Sequence, residues 1–165
     1  MPRLISPAGS GPRHLAWHPR QKIAYVDNEQ ASSVSVYRLN PADGLLTVGE
    51  TRSTIPAGFS AVNSCAEIKV HPTGKFLYVS NRGHDSLAVF RISDKGDELT
   101  SIGQEPTEKT PRSFDIDPEG QFLIAAGEGS GKLVVYQIDG DIGRLSVKHR
   151  YDAGPRPWWV MIVPQ

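Results

Sequence analysis

The sequence predicts an all-β protein made of three consecutive repeats, each a four-stranded antiparallel sheet. Three observations predict it. A block of about forty residues recurs three times. Each block holds four short apolar runs parted by turn residues, and apolar positions alternate with a period of two without sustaining helical spacing.

The repeats are read from constant offsets. The first copy carries His18-Pro19, then Ile23–Asn28, Val34-Ser35-Val36-Tyr37 and Leu46-Thr47. The second carries His71-Pro72, Phe76–Asn81, Leu87–Phe90 and Leu99-Thr100, and the third Asp117-Pro118, Phe122–Gly127, Leu133–Tyr136 and Leu145-Ser146. Eighteen residues separate proline from aromatic in every copy (Pro19 to Tyr37, Pro72 to Phe90, Pro118 to Tyr136). Twenty-seven separate it from the leucine of the Leu-Thr/Ser pair (Leu46, Leu99, Leu145). The prolines lie 53 and 46 residues apart, so length variation is confined to the segments between repeats.

In the first unit the apolar runs are His14–Trp17, Lys22–Val26, Ser33–Leu39 and Leu45–Glu50, broken by Pro19-Arg20-Gln21, residues 28–32 and Asn40-Pro41-Ala42-Asp43-Gly44. Four such strands per repeat are the signature of a β-propeller blade. The chain is therefore expected to be a partial β-propeller forming one domain over 1–165, with repeats at about 11–54, 64–107 and 110–150. Gly154-Pro155-Arg156 echoes Gly11-Pro12-Arg13, so 157–163 is expected to be a thirteenth strand opening a fourth repeat. Propellers close with roughly four to eight blades, so three blades form an open arc. Such an arc is part of a longer ring or a half-ring completed by a second copy. Its open blade edges invite self-association.

Composition narrows the function classes. Eighteen basic and eighteen acidic residues cancel and form no basic stripe, which excludes nucleic acid and anionic membrane as expected partners. No run reaches transmembrane length, and Met1–Ser6 lacks the apolar stretch of a signal peptide, so a cytoplasmic location is expected. The single cysteine, Cys65, excludes an internal disulfide and reads as a small buried thiol of an inner strand.

Two patterns mimic chemistry. Gly127-Glu128-Gly129-Ser130-Gly131-Lys132 looks like a phosphate loop, yet position 126 is alanine and Leu133 stands where a Ser or Thr would hold a metal. In repeat register it is the turn between second and third strands. His18 and His71 precede the repeat prolines, with Asp117 in the third copy, which reads as a turn-stabilising polar side chain. No His, Cys and carboxylate spacing builds a zinc site, and no metal or cofactor is expected.

The second strand of each repeat runs back along the first. Residues six and five before the proline thus sit beside the residue ten after it, at one end of the blade. The first set is Arg13 and His14, Ala66 and Glu67, Arg112 and Ser113; the second is Glu29, Arg82 and Glu128. Eight of these nine are charged or polar where packing needs only turn residues. Adjacent blades bring them to one mouth of the central channel, and Asn81 and His84 in the same connections add neutral donors. One reading makes the charged residues inter-blade ion pairs. The other makes them a site for an anion, with arginine forks for carboxylate or phosphate and glutamate as a base.

At Gly11-Pro12-Arg13-His14, Tyr25–Glu29, Ala66-Glu67-Ile68, Tyr78–Ser86 and Thr110-Pro111-Arg112 the chain resembles the seven-bladed propeller lactonase family. That family includes propeller-type 6-phosphogluconolactonases and carboxymuconate cyclases. The resemblance runs from Gly11 to the last strand and corresponds to the C-terminal part of such proteins; its most specific piece is residues 80–85. It implies that Glu29 matches a catalytic glutamate and that Arg13 and Arg82 match arginines that hold the substrate anion, so all three are candidate catalytic residues. His14, Glu67, Asn81, His84 and Arg112 are candidate substrate-binding residues. It implies a small anionic lactone or carboxylate as substrate and a catalytic histidine in a preceding blade, so the isolated 165 residues are expected to be weakly active or inactive. Lactone hydrolysis, ring closure by a cyclase, and ligand binding without catalysis all remain open at this stage.

Overall fold

A computed structural model describes Leu4 and residues 6–163. Three four-stranded antiparallel sheets follow one another along the chain, each in simple sequence order. The first contains β1 (Pro12–Trp17), β2 (Ile23–Asn28), β3 (Ser33–Leu39) and β4 (Leu46–Ser53). The second contains β5 (Ser64–Val70), β6 (Phe76–Arg82), β7 (Ser86–Ile92) and β8 (Leu99–Pro106). The third contains β9 (Pro111–Ile116), β10 (Phe122–Gly127), β11 (Lys132–Ile138) and β12 (Leu145–Asp152). These are three blades of an all-β propeller arc. Tyr37, Phe90 and Tyr136 take equivalent third-strand places, paired with Ala24, Leu77 and Leu123 on the second strands.

Alternation along each strand decides what faces what. On β6, Leu77 and Val79 turn to the first blade and join Ile23, Tyr25, Val34 and Val36. The intervening Phe76 and Tyr78 turn to the third blade and join Phe114, Leu123, Val134 and Tyr136. The core is thus two apolar seams between blades, not one central core. Burying each such side chain contributes roughly 1.5–3 kcal/mol, and the seams hold the arc together.

Repeat-specific latches tie the seams. Tyr25 Oη donates to the Gly96 carbonyl of the next blade at 2.7 Å, and Tyr78 Oη to that of Gly143 at 2.9 Å. His18 Nδ1 accepts the amides of Arg20 and Gln21, so Nε2 carries the proton and donates to the Gly74 carbonyl of the second blade at 3.2 Å. His71 repeats the device on Gly120 at 2.9 Å. Burial holds His18 below the usual histidine range, which keeps it neutral for this role. The turn-stabilising role expected for these histidines is present, with an inter-blade bond added. Asp117 keeps only the local part, its Oδ1 accepting the amide of Phe122 at 2.6 Å. Gly74 has φ of +74°, and a Cβ there would stand 2.7 Å from the His18 ring, so the latch requires glycine twice over.

The phosphate-loop mimic is a tight turn, with the Ser130 and Gly131 amides donating to the Gly127 carbonyl. The expected thirteenth strand is unpaired. Residues 157–163 form no ladder among the described residues. The Val160 and Ile162 amides instead donate to the side chains of Ser113 and Asp115 on β9. Donors two residues apart meeting acceptors two residues apart indicate an extended chain laid along the inner strand, but no neighbouring strand pairs with it.

Candidate active site

Each inner strand carries one extra residue at the same repeat position. On β1, Arg13 and His14 lie between the pairs Pro12–Asn28 and Leu15–Val26. On β5, Ala66 and Glu67 lie between Cys65–Asn81 and Ile68–Val79. On β9, Arg112 lies between Pro111–Gly127 and Ser113–Ala126. A bulge frees backbone groups from the ladder and re-aims side chains. Here the freed amides are taken by side chains of the second strand: His14 N–H donates to Asp27 Oδ1 at 2.6 Å, and Glu67 N–H to Ser80 Oγ at 2.9 Å.

The bulges bring three cross-blade contacts together, each joining equivalent repeat positions 53 residues apart. Arg82 Nη2 forms an ion pair with Glu29 Oε1. Arg13 Nη1 donates to the Ala66 carbonyl. His14 Nδ1 donates to Glu67 Oε1 at 3.0 Å. Arg82 also donates to the Cys65 carbonyl at 2.9 Å, so residues 65, 66 and 67 of β5 receive Arg82, Arg13 and His14 in succession. Arg13 Nε lies 3.9 Å from Glu29 Oε2, which places Glu29 between two guanidinium groups.

Burial grades the cluster. Glu67 is nearly inaccessible, and its Oε1 also accepts the Ile68 amide at 3.1 Å. His14 keeps 33% of its side chain exposed. Its ring lines a groove of about 560 Å³ with Arg13, Trp17, Glu67, Lys69 and Trp159. A second concavity of about 270 Å³ joins Arg13, His14 and Glu67 to Arg112 and Trp158. Arg112 lies 3.6 Å from Glu128, with its guanidinium 5.4 Å from the Trp158 ring centre. Lys69 pairs with Asp115 at 3.3 Å deeper along the inner strands.

Two candidates are not part of this cluster. Asn81 is fully buried, and this corrects its assignment to ligand contact: its amide donates to the Thr54 carbonyl and its Oδ1 accepts from Thr54 and Asn63. It ties the first two blades together. His84 stands on the β6–β7 turn, bonded to Ser86 Oγ at 2.7 Å and edge-on to Phe59. Its contacts are to the turn and not to the arginines. Cys65 is buried as expected, and desolvation pushes its thiol up to about 12.

The residue missed in the sequence is Asp27. It is fully buried, its Oδ2 has no hydrogen-bond partner among the described residues, and desolvation raises its pKa to about 6. Its signal was present in repeat register: Asp27, Ser80 and Ala126 all stand eight residues after the repeat proline, and only the first two can cap a bulge amide.

Bulged inner strands thus gather arginine, histidine and glutamate at one end of the blades of a propeller arc. The chain belongs to the lactonase family of seven-bladed β-propellers, whose profile matches residues 1–162. It is 46% identical over 160 residues to a 6-phosphogluconolactonase of Pectobacterium carotovorum, covering 97% of this chain and 48% of that protein. With the 6-phosphogluconolactonase of Serratia proteamaculans it shares 40% identity over the same length and coverage. Among solved structures, a protein from Lactobacillus plantarum superposes with a TM-score of 0.89 at 35% identity, covering 94% of this chain and 46% of that one. The periplasmic gluconolactonase of Pseudomonas aeruginosa gives 0.86 at 28% identity, covering 93% and 43%. The chain spans about half the length of the curated relatives it matches.

Proposed function

We propose that the protein hydrolyses an anionic sugar lactone of the 6-phosphogluconolactone type, with Arg13 and Arg82 holding the anion and Glu29 serving as base. The observation that carries this reading is the Arg13–Glu29–Arg82 triplet, contributed by two adjacent blades. Both Glu29 oxygens face guanidinium groups, so as arranged neither is free to take a proton. A phosphate carries more charge than a carboxylate and competes for the same forks. Its arrival separates Glu29 from the arginines and frees it to accept a proton from water. The hydroxide then adds to the lactone carbonyl, and the arginines offset the charge gathering on the oxygen. Collapse breaks the ring C–O bond, its electron pair leaves on the ring oxygen, and that oxygen takes up a proton to end as a hydroxyl group.

The test is a panel of lactones presented to the full-length protein. Hydrolysis of phosphorylated gluconolactone with kcat/KM at least tenfold above the unphosphorylated lactone, and falling with added salt, supports the reading. Equal rates on both lactones overturn the anion clamp. Turnover of only carboxylated muconolactones points to the cyclase reaction, and binding without turnover to a ligand-binding propeller.

A further inference from the structure

His14 is the one titratable side chain that lines both concavities while its carboxylate partner is buried beneath it. Its Nδ1 is committed to Glu67 Oε1 at 3.0 Å, and an ionised carboxylate only accepts, so Nδ1 carries a proton. Arg13 Nη1 stands 3.1 and 3.0 Å from the two ring nitrogens. An atom that close to both cannot lie in the ring plane without overlapping the carbon between them. Arg13 therefore packs over the imidazole face, and no other side chain among the described residues bonds Nε2. Glu67 is itself locked, its amide on Ser80 Oγ and its Oε1 shared with the Ile68 amide. Asp27 fixes the other half by holding the His14 amide at 2.6 Å across the bulge.

A histidine with one nitrogen held by a buried carboxylate, its ring orientation set by two backbone anchors and its second nitrogen open to a groove is built to transfer protons. A residue that only bound substrate would not need a carboxylate buried behind it. We propose that His14 is the general acid of the lactonase reaction, and that Glu67 and Asp27 are its positioning residues; this rests on the hydrolytic reading above. Glu29 takes a proton from the attacking water. When the ring C–O bond breaks, the electron pair goes to the ring oxygen and the Nε2 proton of the His14 imidazolium goes to that oxygen, leaving a neutral imidazole. Solvent then removes the proton from Glu29 and restores that of His14, so the cycle closes. Glu67 stabilises the imidazolium that begins each turnover.

The proposal is tested in the full-length protein with His14→Gln and Glu67→Gln, measuring kcat and KM against pH. For the unsubstituted protein, kcat is expected to fall on the alkaline side, as it does for any reaction that needs a general acid. His14→Gln should lower kcat by about 100-fold or more with KM within about threefold, and should abolish that alkaline limb. Glu67→Gln leaves the imidazole in place but removes its anionic partner, and should lower kcat by about tenfold with KM within about threefold. A His14→Gln protein that keeps both its kcat and its alkaline limb overturns the proposal while lactonase activity stands. An unchanged kcat in Glu67→Gln overturns it as well. An unsubstituted protein inactive on every anionic lactone removes the hydrolytic reading and this proposal with it.

Discussion

Glu29 of the first blade and Arg82 of the second form an ion pair although each occupies the same place in its own repeat, ten residues after the repeat proline. A repeat that only packed would conserve one residue type at that place. Here the charge changes sign from blade to blade, with Glu128 third in the series. In the full-length protein, Glu29→Gln is expected to lower kcat by about 100-fold or more by removing the base. Arg82→Lys is expected mainly to raise KM, by about tenfold, because lysine cannot reach both the Cys65 carbonyl and an anion with a planar fork. Steady-state kinetics that show the reverse split would assign the roles the other way.

Asp27 makes stability depend on pH. Its folded pKa of about 6 lies above the ordinary 3.8, so the folded state binds the proton more tightly than the unfolded state. The resulting stabilisation is complete below about pH 4 and disappears as pH rises through about 6. Asp27→Asn keeps an oxygen for the His14 amide and removes the buried charge. Its urea midpoint should exceed that of the unsubstituted chain at pH 7.5, by up to about 3 kcal/mol of stability, and match it at pH 4. A constant difference between the two pH values would show that Asp27 is not charged when buried.

Gly74 and Gly58 share a left-handed backbone but not a setting. A Cβ on Gly58 meets nothing within 4 Å, whereas one on Gly74 meets the latched His18 ring at 2.7 Å. Gly58→Ala should destabilise by about 1 kcal/mol from backbone strain alone. Gly74→Ala should cost about 1–3 kcal/mol more through overpacking. Equal losses in chemical denaturation would mean that the histidine latch is slack.

Leu15 and Trp17 on β1, with Trp158, Trp159, Met161 and Val163 after β12, leave large apolar side chains exposed on the arc. The 165-residue chain is expected to self-associate through them. Light scattering should show species larger than a monomer, and Trp17→Ser with Trp159→Ser should shift the distribution to smaller ones. A stable monomer at high concentration would show that the arc tolerates its open ends.

The twelve strands were legible because their information is local. A period of two, turn residues at fixed offsets and a constant proline-to-aromatic spacing are properties of neighbouring residues, and repetition lets each copy check the others. Repeat register also brought Arg13, Glu29 and Arg82 to one end of the blade, since equivalent positions of adjacent blades must lie side by side. The same register put Asn81 and His84 at that end, but end position does not say whether a side chain points into the channel or into the seam. Only the packed structure turned Asn81 inward to Thr54 and His84 toward Phe59. It also decided the pairing of His14 with Glu67, because the bulges on β1 and β5 rotate those two side chains toward each other. Asp27 was hidden for the same reason: alternation marks it as a strand residue, and only the bulge opposite gives its carboxylate an amide to hold. The thirteenth strand expected at 157–163 stays unpaired because a strand is a relation between two segments. Residues 157–163 carry the apolar pattern, but no neighbouring strand among the described residues pairs with them.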